Sequence, residues 1–352
     1  MKNVTKLGIV AILAAAMLLN ACSGATIVVT ESVSPAAASD DVGAQASHVM
    51  AENTAVTTED VPVVYFTPEI TPESLVAVYQ MAEWTPVAPV AVKVSTGESE
   101  SSNYLRPELI ADLVHEVDGT IVECNTAYNG NRSSTEEHLR LAEEHGFTQI
   151  APVVIQDADG TIAIPVNGGT RLTEDLVGAA FPNYNSYLVL SHFKGHSMAG
   201  YGGAIKNMAI GIASADGKAL IHSGGTSIDS PWGGEQSAFL ESMAEAATAV
   251  ADYEGDHIVY VNVMNRLSVD CDCDAHPAEP DMHDIGILAS TDPVALDQAC
   301  IDLVYGAPDS TSLVERIESR DGLHTLEYAE KIGLGSRAYE LVDIGPTAPE
   351  QS

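Results

Sequence analysis

Residues 188–222 read LVLSHFKGHSMAGYGGAIKNMAIGIASADGKALIH. The apolar run Tyr187-Leu188-Val189-Leu190 predicts a buried strand. His192, Lys194 and His196 follow it within five residues, and Gly200-Tyr201-Gly202-Gly203 then forms a turn. An apolar helix carrying Lys206 and Asn207 comes next, and His222 closes the segment. Strand, polar loop, glycine turn and helix are the parts of a ligand site at the edge of an α/β sheet.

The flanking segments repeat this alternation. Strands are expected at 62–66, 90–95, 120–124, 149–155, 161–166, 257–264, 285–289 and 339–344. Helices are expected after Thr71-Pro72, from Pro107, after the capping box Ser134-Thr135-Glu136-Glu137, over 235–253 and after Asp292-Pro293. Asp157-Ala158-Asp159-Gly160 is a hairpin-like signal between two of the strands. The order predicts an α/β fold with a largely parallel sheet flanked by helices, or two lobes with the site between them.

Residues 1–21 read as a lipoprotein signal peptide. Lys2 and Lys6 precede a short apolar run, and Leu19-Asn20-Ala21-Cys22 has the form of a lipobox with Cys22 as the lipidated residue. Residues 22–58 then form an Ala/Ser/Thr-rich tether, 59–345 the α/β domain and 346–352 a tail. The expected location is extracytoplasmic, lipid-anchored to a bacterial membrane. Removing Lys2 and Lys6 moves the formal charge from −35 to −37. Such a chain repels nucleic acid, which is excluded as a partner. The membrane is reached through the lipid on Cys22, and the remaining partner class is a small molecule or metal.

Three constellations carry chemistry. In the first, Gly202 and Gly203 precede the helix from Ala204, so free N–H groups and Lys206 would receive an anion, with His192, Lys194 and Asn207 beside it. In the second, Asp270-Cys271-Asp272-Cys273-Asp274-Ala275-His276 offers Cys271 and Cys273 to a divalent metal. A disulfide-prone loop or an acidic turn that positions Asn262 and Asn265 fits the same residues. The third is 124–132, after a strand, where Asn131 and Arg132 face a substrate carboxylate or phosphate. Without a CxxC pair, an iron–sulfur cluster lacks ligands.

At these residues the chain resembles the domain-of-unknown-function 362 family. The motifs are YFTPEITP from Tyr65, 124–132, SHFKGH from Ser191, GYGGAIKNMAIG from Gly200, CDCD from Cys271, DIGILASTDPVALDQA from Asp284 and EYAEKIGLGS from Glu327. Many members of that family carry a ferredoxin-like insert, but residues 223–237 here contain no cysteine. A looser resemblance joins 196–206 and His222 to lactate-racemase-type enzymes that bind a nickel-pincer nucleotide. It implies that Lys206 carries the cofactor, His222 ligates the metal, and His196 is an acid/base residue with Arg132 nearby. Asn131 stands where that resemblance places a second catalytic histidine. The reading is a pocket for a metal or anionic small molecule, with racemase-like proton transfer or non-catalytic solute binding as its use.

Overall fold

The computed structural model describes residues 61–346 and the two-residue strand β1 (Val28–Val29). The expected signal peptide, Cys22 and nearly all of the tether lie outside the described residues. In chain order there follow β2 (Val63–Thr67), α1 (Pro72–Met81), β3 (Val90–Lys93), α2 (Pro107–Glu116), β4 (Gly119–Glu123), α3 (Thr135–Glu144) and β5 (Val153–Ile155). Then come β6 (Thr161–Pro165), β7 (Glu174–Gly178), β8 (Ser186–His192), β9 (Lys194–His196), β10 (Gly200–Gly202), α4 (Ala204–Ile212), α5 (Ala215–His222) and α6 (Gln236–Glu254). The described part closes with β11 (Ile258–Met264), β12 (Gly286–Ser290), α7 (Pro293–Gly306), α8 (Thr311–Ser319), α9 (His324–Lys331) and β13 (Glu340–Asp343).

Local chemistry sets the helix starts as expected. Thr71, Ser134 and Asp292 each accept backbone N–H groups of the first turn of α1, α3 and α7. The long strands β8 and β11 are buried along their whole length, which is why both read as continuous apolar runs.

The main sheet runs β1-β13-β2-β12-β11-β8-β3-β4-β5. β5, β4, β3, β8 and β11 are mutually parallel, whereas β12 is antiparallel to both β11 and β2. From β3 the chain adds β4 and β5 on one side, then returns to place β8 on the other. The strand order therefore reverses between β3 and β8, where the strand ends part and leave a crevice. One apolar layer holds α4 and α6 on one face, and a second packs α1 and α2 on the opposite face. Among the described residues no helix is long and apolar enough to cross a membrane.

The sequence-based hairpin at 157–160 does not join its two strands. β5 pairs in parallel with β4, while β6 pairs with β7 in a separate two-stranded sheet. The Asp157 carboxylate instead accepts the Asn125 and Ala215 N–H groups and so ties two connections together.

Within β7, Asp175 is fully buried and neither carboxylate oxygen is reached by a donor in hydrogen-bond geometry. Burial pushes its carboxyl up to about 7, opposed by the nearby Leu176 N–H and Lys218. The unfolded chain ionises this group near its ordinary value, so it costs stability as pH rises from there through about 7. Asp175→Asn is expected to stabilise the protein against urea by on the order of 2–4 kcal/mol at pH 8 and by less than half as much at pH 5. Equal effects at the two pH values would show that Asp175 is not protonated in the native protein.

Candidate functional site

The crevice opens into a cavity of about 690 Å³ whose walls come from all three constellations. Lys93 ends β3, Glu123 ends β4, 124–132 follows β4, Lys194 to Lys206 follow β8, and 270–275 follow β11. Every one of these segments leaves the carboxyl end of a parallel strand, which is why residues so far apart in the chain converge.

The floor is a buried charge network. Lys93, 1 % exposed, donates from Nζ to Glu123 Oε2 at 2.9 Å, Val94 O at 2.6 Å and Asn207 Oδ1 at 3.1 Å. Burial draws its ammonium pKa down and Glu123 opposes that shift. Burial raises the Glu123 carboxyl, yet Lys93 and Arg132 hold it down to about 2. Gly211 in α4 makes the arrangement possible, since a Cβ there would lie 2.3 Å from Lys93 Cε.

Several expected ligand donors turn out to be engaged within the protein. Arg132 donates from Nε to Glu98 Oε2 at 3.0 Å and from Nη1 to Glu123 Oε1 at 3.3 Å. Asn131 donates its amide to Glu98 O, and Asn207 donates to Lys93 O, Leu190 O and Ser191 Oγ. The start of α4 is also taken, because Ala204 and Ile205 donate their N–H groups to the Asp297 carboxylate at 2.7 and 3.0 Å. The expectation of free N–H groups there is corrected: the anion at this helix end is the protein's own. Gly203 permits it, because a Cβ would come 2.2 Å from Asp297 Oδ1.

His192 does not line the cavity. Its Nδ1 meets Asp272 Oδ1 at 2.8 Å and its Nε2 meets Asn265 O at 2.6 Å, so it braces the 265–284 loop from behind. Lys194 donates to the other Asp272 oxygen at 2.8 Å. Despite burial, Lys194 and His192 hold the Asp272 carboxyl well below the usual range.

Three groups face the cavity with chemistry uncommitted. Lys206 Nζ has no hydrogen-bond or ion-pair partner among the described residues. Burial, reinforced by Lys194, brings its pKa down to about 7, against the pull of Asp272. His196 accepts the Met198 and Ala199 N–H groups at Nδ1, at 3.2 and 2.9 Å, so its proton sits on Nε2. Burial and then Lys206 hold its pKa well below the usual histidine value. His222 is the opposite tautomer: Nδ1 donates to Lys218 O at 2.7 Å, leaving a lone pair on Nε2. Its ring stacks on Phe239 at 4.8 Å, and burial brings its pKa down to about 4. His196 is thus a hydrogen-bond donor and His222 an acceptor or metal ligand.

Cys271 and Cys273 form a disulfide that lines the same wall. Their sulfurs and a His196 nitrogen lie within 4.8 Å of one another, a group that could hold a metal ion. The metal group therefore contains His196 in place of the expected His222. As a disulfide the two sulfurs are not thiolate ligands, so an ion there requires the dithiol.

A family model described as "Domain of unknown function (DUF362)" matches residues 90–302. The chain belongs to the DUF362 family. That DUF362 region contains every cavity-lining residue named above. No curated protein matches the chain. Among solved structures, the lactate racemase apoprotein from Thermoanaerobacterium thermosaccharolyticum is similar at 14% identity and TM-score 0.35, covering 59% of this chain and 52% of that one. A Thermotoga maritima protein is similar at 13% identity and TM-score 0.39, covering 66% of this chain and 58% of that one. The chain thus spans between half and three-fifths of the length of these two relatives.

Sequence reasoning passed over Lys93, Glu98, Glu123, Lys218 and Trp232, and it read Asp272 as part of a metal constellation rather than as the partner of His192 and Lys194. A usable signal existed for two of them. Lys93 and Glu123 are single charges ending otherwise apolar strands, Val90-Ala91-Val92 and Thr120-Ile121-Val122, a placement that needs a buried partner.

Lysine reactivity reports the Lys206 environment directly. With limiting acetic anhydride at pH 7, Lys206 is expected to acetylate at least tenfold faster than Lys331, with a rate midpoint near pH 7. Peptide mass mapping reads both; a Lys206 midpoint near 10 would show an ordinary ammonium.

Proposed function

We propose that this DUF362 protein is an extracytoplasmic, lipid-anchored lipoprotein whose cavity binds a small anionic molecule and acts on it by proton transfer. One observation carries the reading. Four of the five lysines among the described residues, Lys93, Lys194, Lys206 and Lys218, line a single cavity in a chain of formal charge −35, and Arg132 joins them. Glu98, Glu123 and Asp272 pair with Arg132, Lys93 and Lys194, and Asp270 pairs with Arg316, which leaves Lys206 and Lys218 as the cavity cations without an ion-pair partner among the described residues. Burying unbalanced charge is costly, and a carboxylate- or phosphate-bearing ligand relieves that cost.

The proton-transfer groups are Lys206, close to half neutral at pH 7, and the His222 Nε2 lone pair, with His196 Nε2–H as a donor to a developing oxyanion. The alternative use of the same cavity is non-catalytic capture of an anionic solute. Solvent deuterium entering the carbon skeleton of a bound 2-hydroxy acid would select the enzyme.

The residues also fit a nickel-pincer nucleotide, favoured by one specific observation. Lys206 is an amine without a partner among the described residues, and His222 presents Nε2 with Nδ1 anchored on Lys218 O, as a metal-ligating histidine does. Lys206 would hold the nucleotide and His222 the nickel, and the group would supply an electrophilic acceptor. Asn131, bound to Glu98, supplies no second base. Intact mass and elemental analysis of the purified protein read this independently of activity.

For the anion reading, Trp232 at the cavity mouth is the reporter. Titration with inorganic phosphate or lactate should change its emission, with affinity falling as salt rises. Lys206→Met removes a cation that holds no partner among the described residues, so the fold should persist while affinity drops at least tenfold. Unchanged affinity in that variant would sink the reading. For anchoring, Cys22→Ser should move the protein from the membrane to the soluble fraction and abolish incorporation of labelled fatty acid; persistent membrane association would argue against the lipid on Cys22.

A further inference from the structure

The Cys271–Cys273 disulfide is poorly placed to be a structural staple. The cysteines are two residues apart, and a ring so small constrains the unfolded chain much less than a long loop does. Other contacts already hold its loop. Glu98 N donates to Asp272 O, Ser102 Oγ to Asp274 O, Ser99 Oγ to Ala275 O, and the Asp272 carboxylate is fixed by His192 and Lys194. The bond nevertheless faces the cavity, where a small molecule can reach it.

Its surroundings suit sulfur chemistry. Lys206 stands on the same wall as a cation that favours a thiolate, while the flanking carboxylates of Asp270 and Asp272 are neutralised by Arg316 and Lys194. The Cys273 N–H points at Cys271 Sγ at 3.3 Å, and the His196 nitrogen lies within 4.8 Å of both sulfurs. Cys273 is half-buried and Cys271 is 4 % exposed, so an incoming group meets Cys273 first. The remaining cysteines among the described residues are poor competitors: Cys124 and Cys300 are buried free thiols.

We propose that Cys271–Cys273 is a redox-active disulfide that exchanges with small anionic thiols bound in the cavity. A substrate thiolate attacks Cys273 Sγ, the S–S bond breaks, and Cys271 leaves as a thiolate facing the Cys273 N–H. A second substrate thiolate attacks the substrate sulfur of the mixed disulfide and releases Cys273. Two thiols become one substrate disulfide, and the protein gains two electrons and takes up two protons as its dithiol forms. The choice of an anionic thiol rests on the anion reading above; the redox centre itself does not.

The test uses the mature chain, oxidised, in native buffer. It is exposed to 2-mercaptoethanesulfonate or, at matched thiolate concentration, to neutral 2-mercaptoethanol. New thiols are trapped with iodoacetamide, counted by intact mass and mapped. Both Cys271 and Cys273 should be labelled with Tm nearly unchanged, and the anionic reagent should react at least fivefold faster at low salt but not in 1 M NaCl. Labelling only on unfolding, or a large fall in Tm on reduction, overturns the proposal in favour of a staple. Stoichiometric zinc on unbridged cysteines in the purified protein overturns it in favour of a His/Cys metal centre. Equal rates for the two reagents overturn the anionic-thiol assignment. A Cys271→Ser/Cys273→Ser variant that keeps phosphate binding but loses exchange supports the proposal, whereas exchange by a protein that binds no phosphate removes the anion reading alone.

Discussion

Lys93 and Glu123 are buried side by side at the ends of two neighbouring parallel strands, and most of the site follows from that constraint. A buried pair is tolerated only when its remaining donors and acceptors are met, and removing one partner typically costs about 3–5 kcal/mol. Here Lys93 finds Val94 O and Asn207, and Asn207 in turn bridges β3, β8 and α4. Glu123 recruits Arg132, which recruits Glu98, and Glu98 fixes Asn131. One ion pair thereby sets the spacing of the central strands, the seating of α4 and the course of two loops.

The second consequence is electrostatic. The exterior is strongly acidic, while the cavity gathers most of the protein's lysines. Charges more than about 10 Å apart are largely screened at 0.1 M salt, so an anion at the mouth senses the nearby lysines more than the distant carboxylates. The internal carboxylates pair with Lys93, Lys194 and Arg132 and leave Lys206 and Lys218 without an ion-pair partner among the described residues. The acidic surface and the cationic cavity are therefore compatible.

Hydrogen bonding also makes the two cavity histidines different reagents. Backbone N–H groups on Nδ1 turn His196 into a fixed donor, and a backbone carbonyl on Nδ1 turns His222 into a lone-pair acceptor. Neither depends on a neighbouring carboxylate, so each role persists across the pH range in which Lys206 changes charge. The disulfide adds a group of another kind to the same wall, and its oxidation state governs whether His196 has thiol sulfurs for neighbours.

The alternation of apolar runs with capped helices determined the α/β class, since those signals are local and need no partner. Polar residues in the sequence drew attention to α4 and the loops after β4, β8 and β11, and the fold brings those segments to one cavity. Residues 174–178 escaped notice because β7 lies outside the main sheet, paired with β6, and carries the buried polar side chain of Asp175 in place of a clear alternation. The hairpin signal at 157–160 misled because pairing of β5 with β4 is non-local. What only the tertiary structure decided is which polar groups are free. Arg132, Asn207 and the start of α4 look available in the sequence, but Glu98, Lys93 and Asp297 reach them from 34, 114 and 93 residues away. Among the described residues Lys206 lacks such a partner. Occupancy of a hydrogen-bonding group depends on what folds against it, and no local pattern records that.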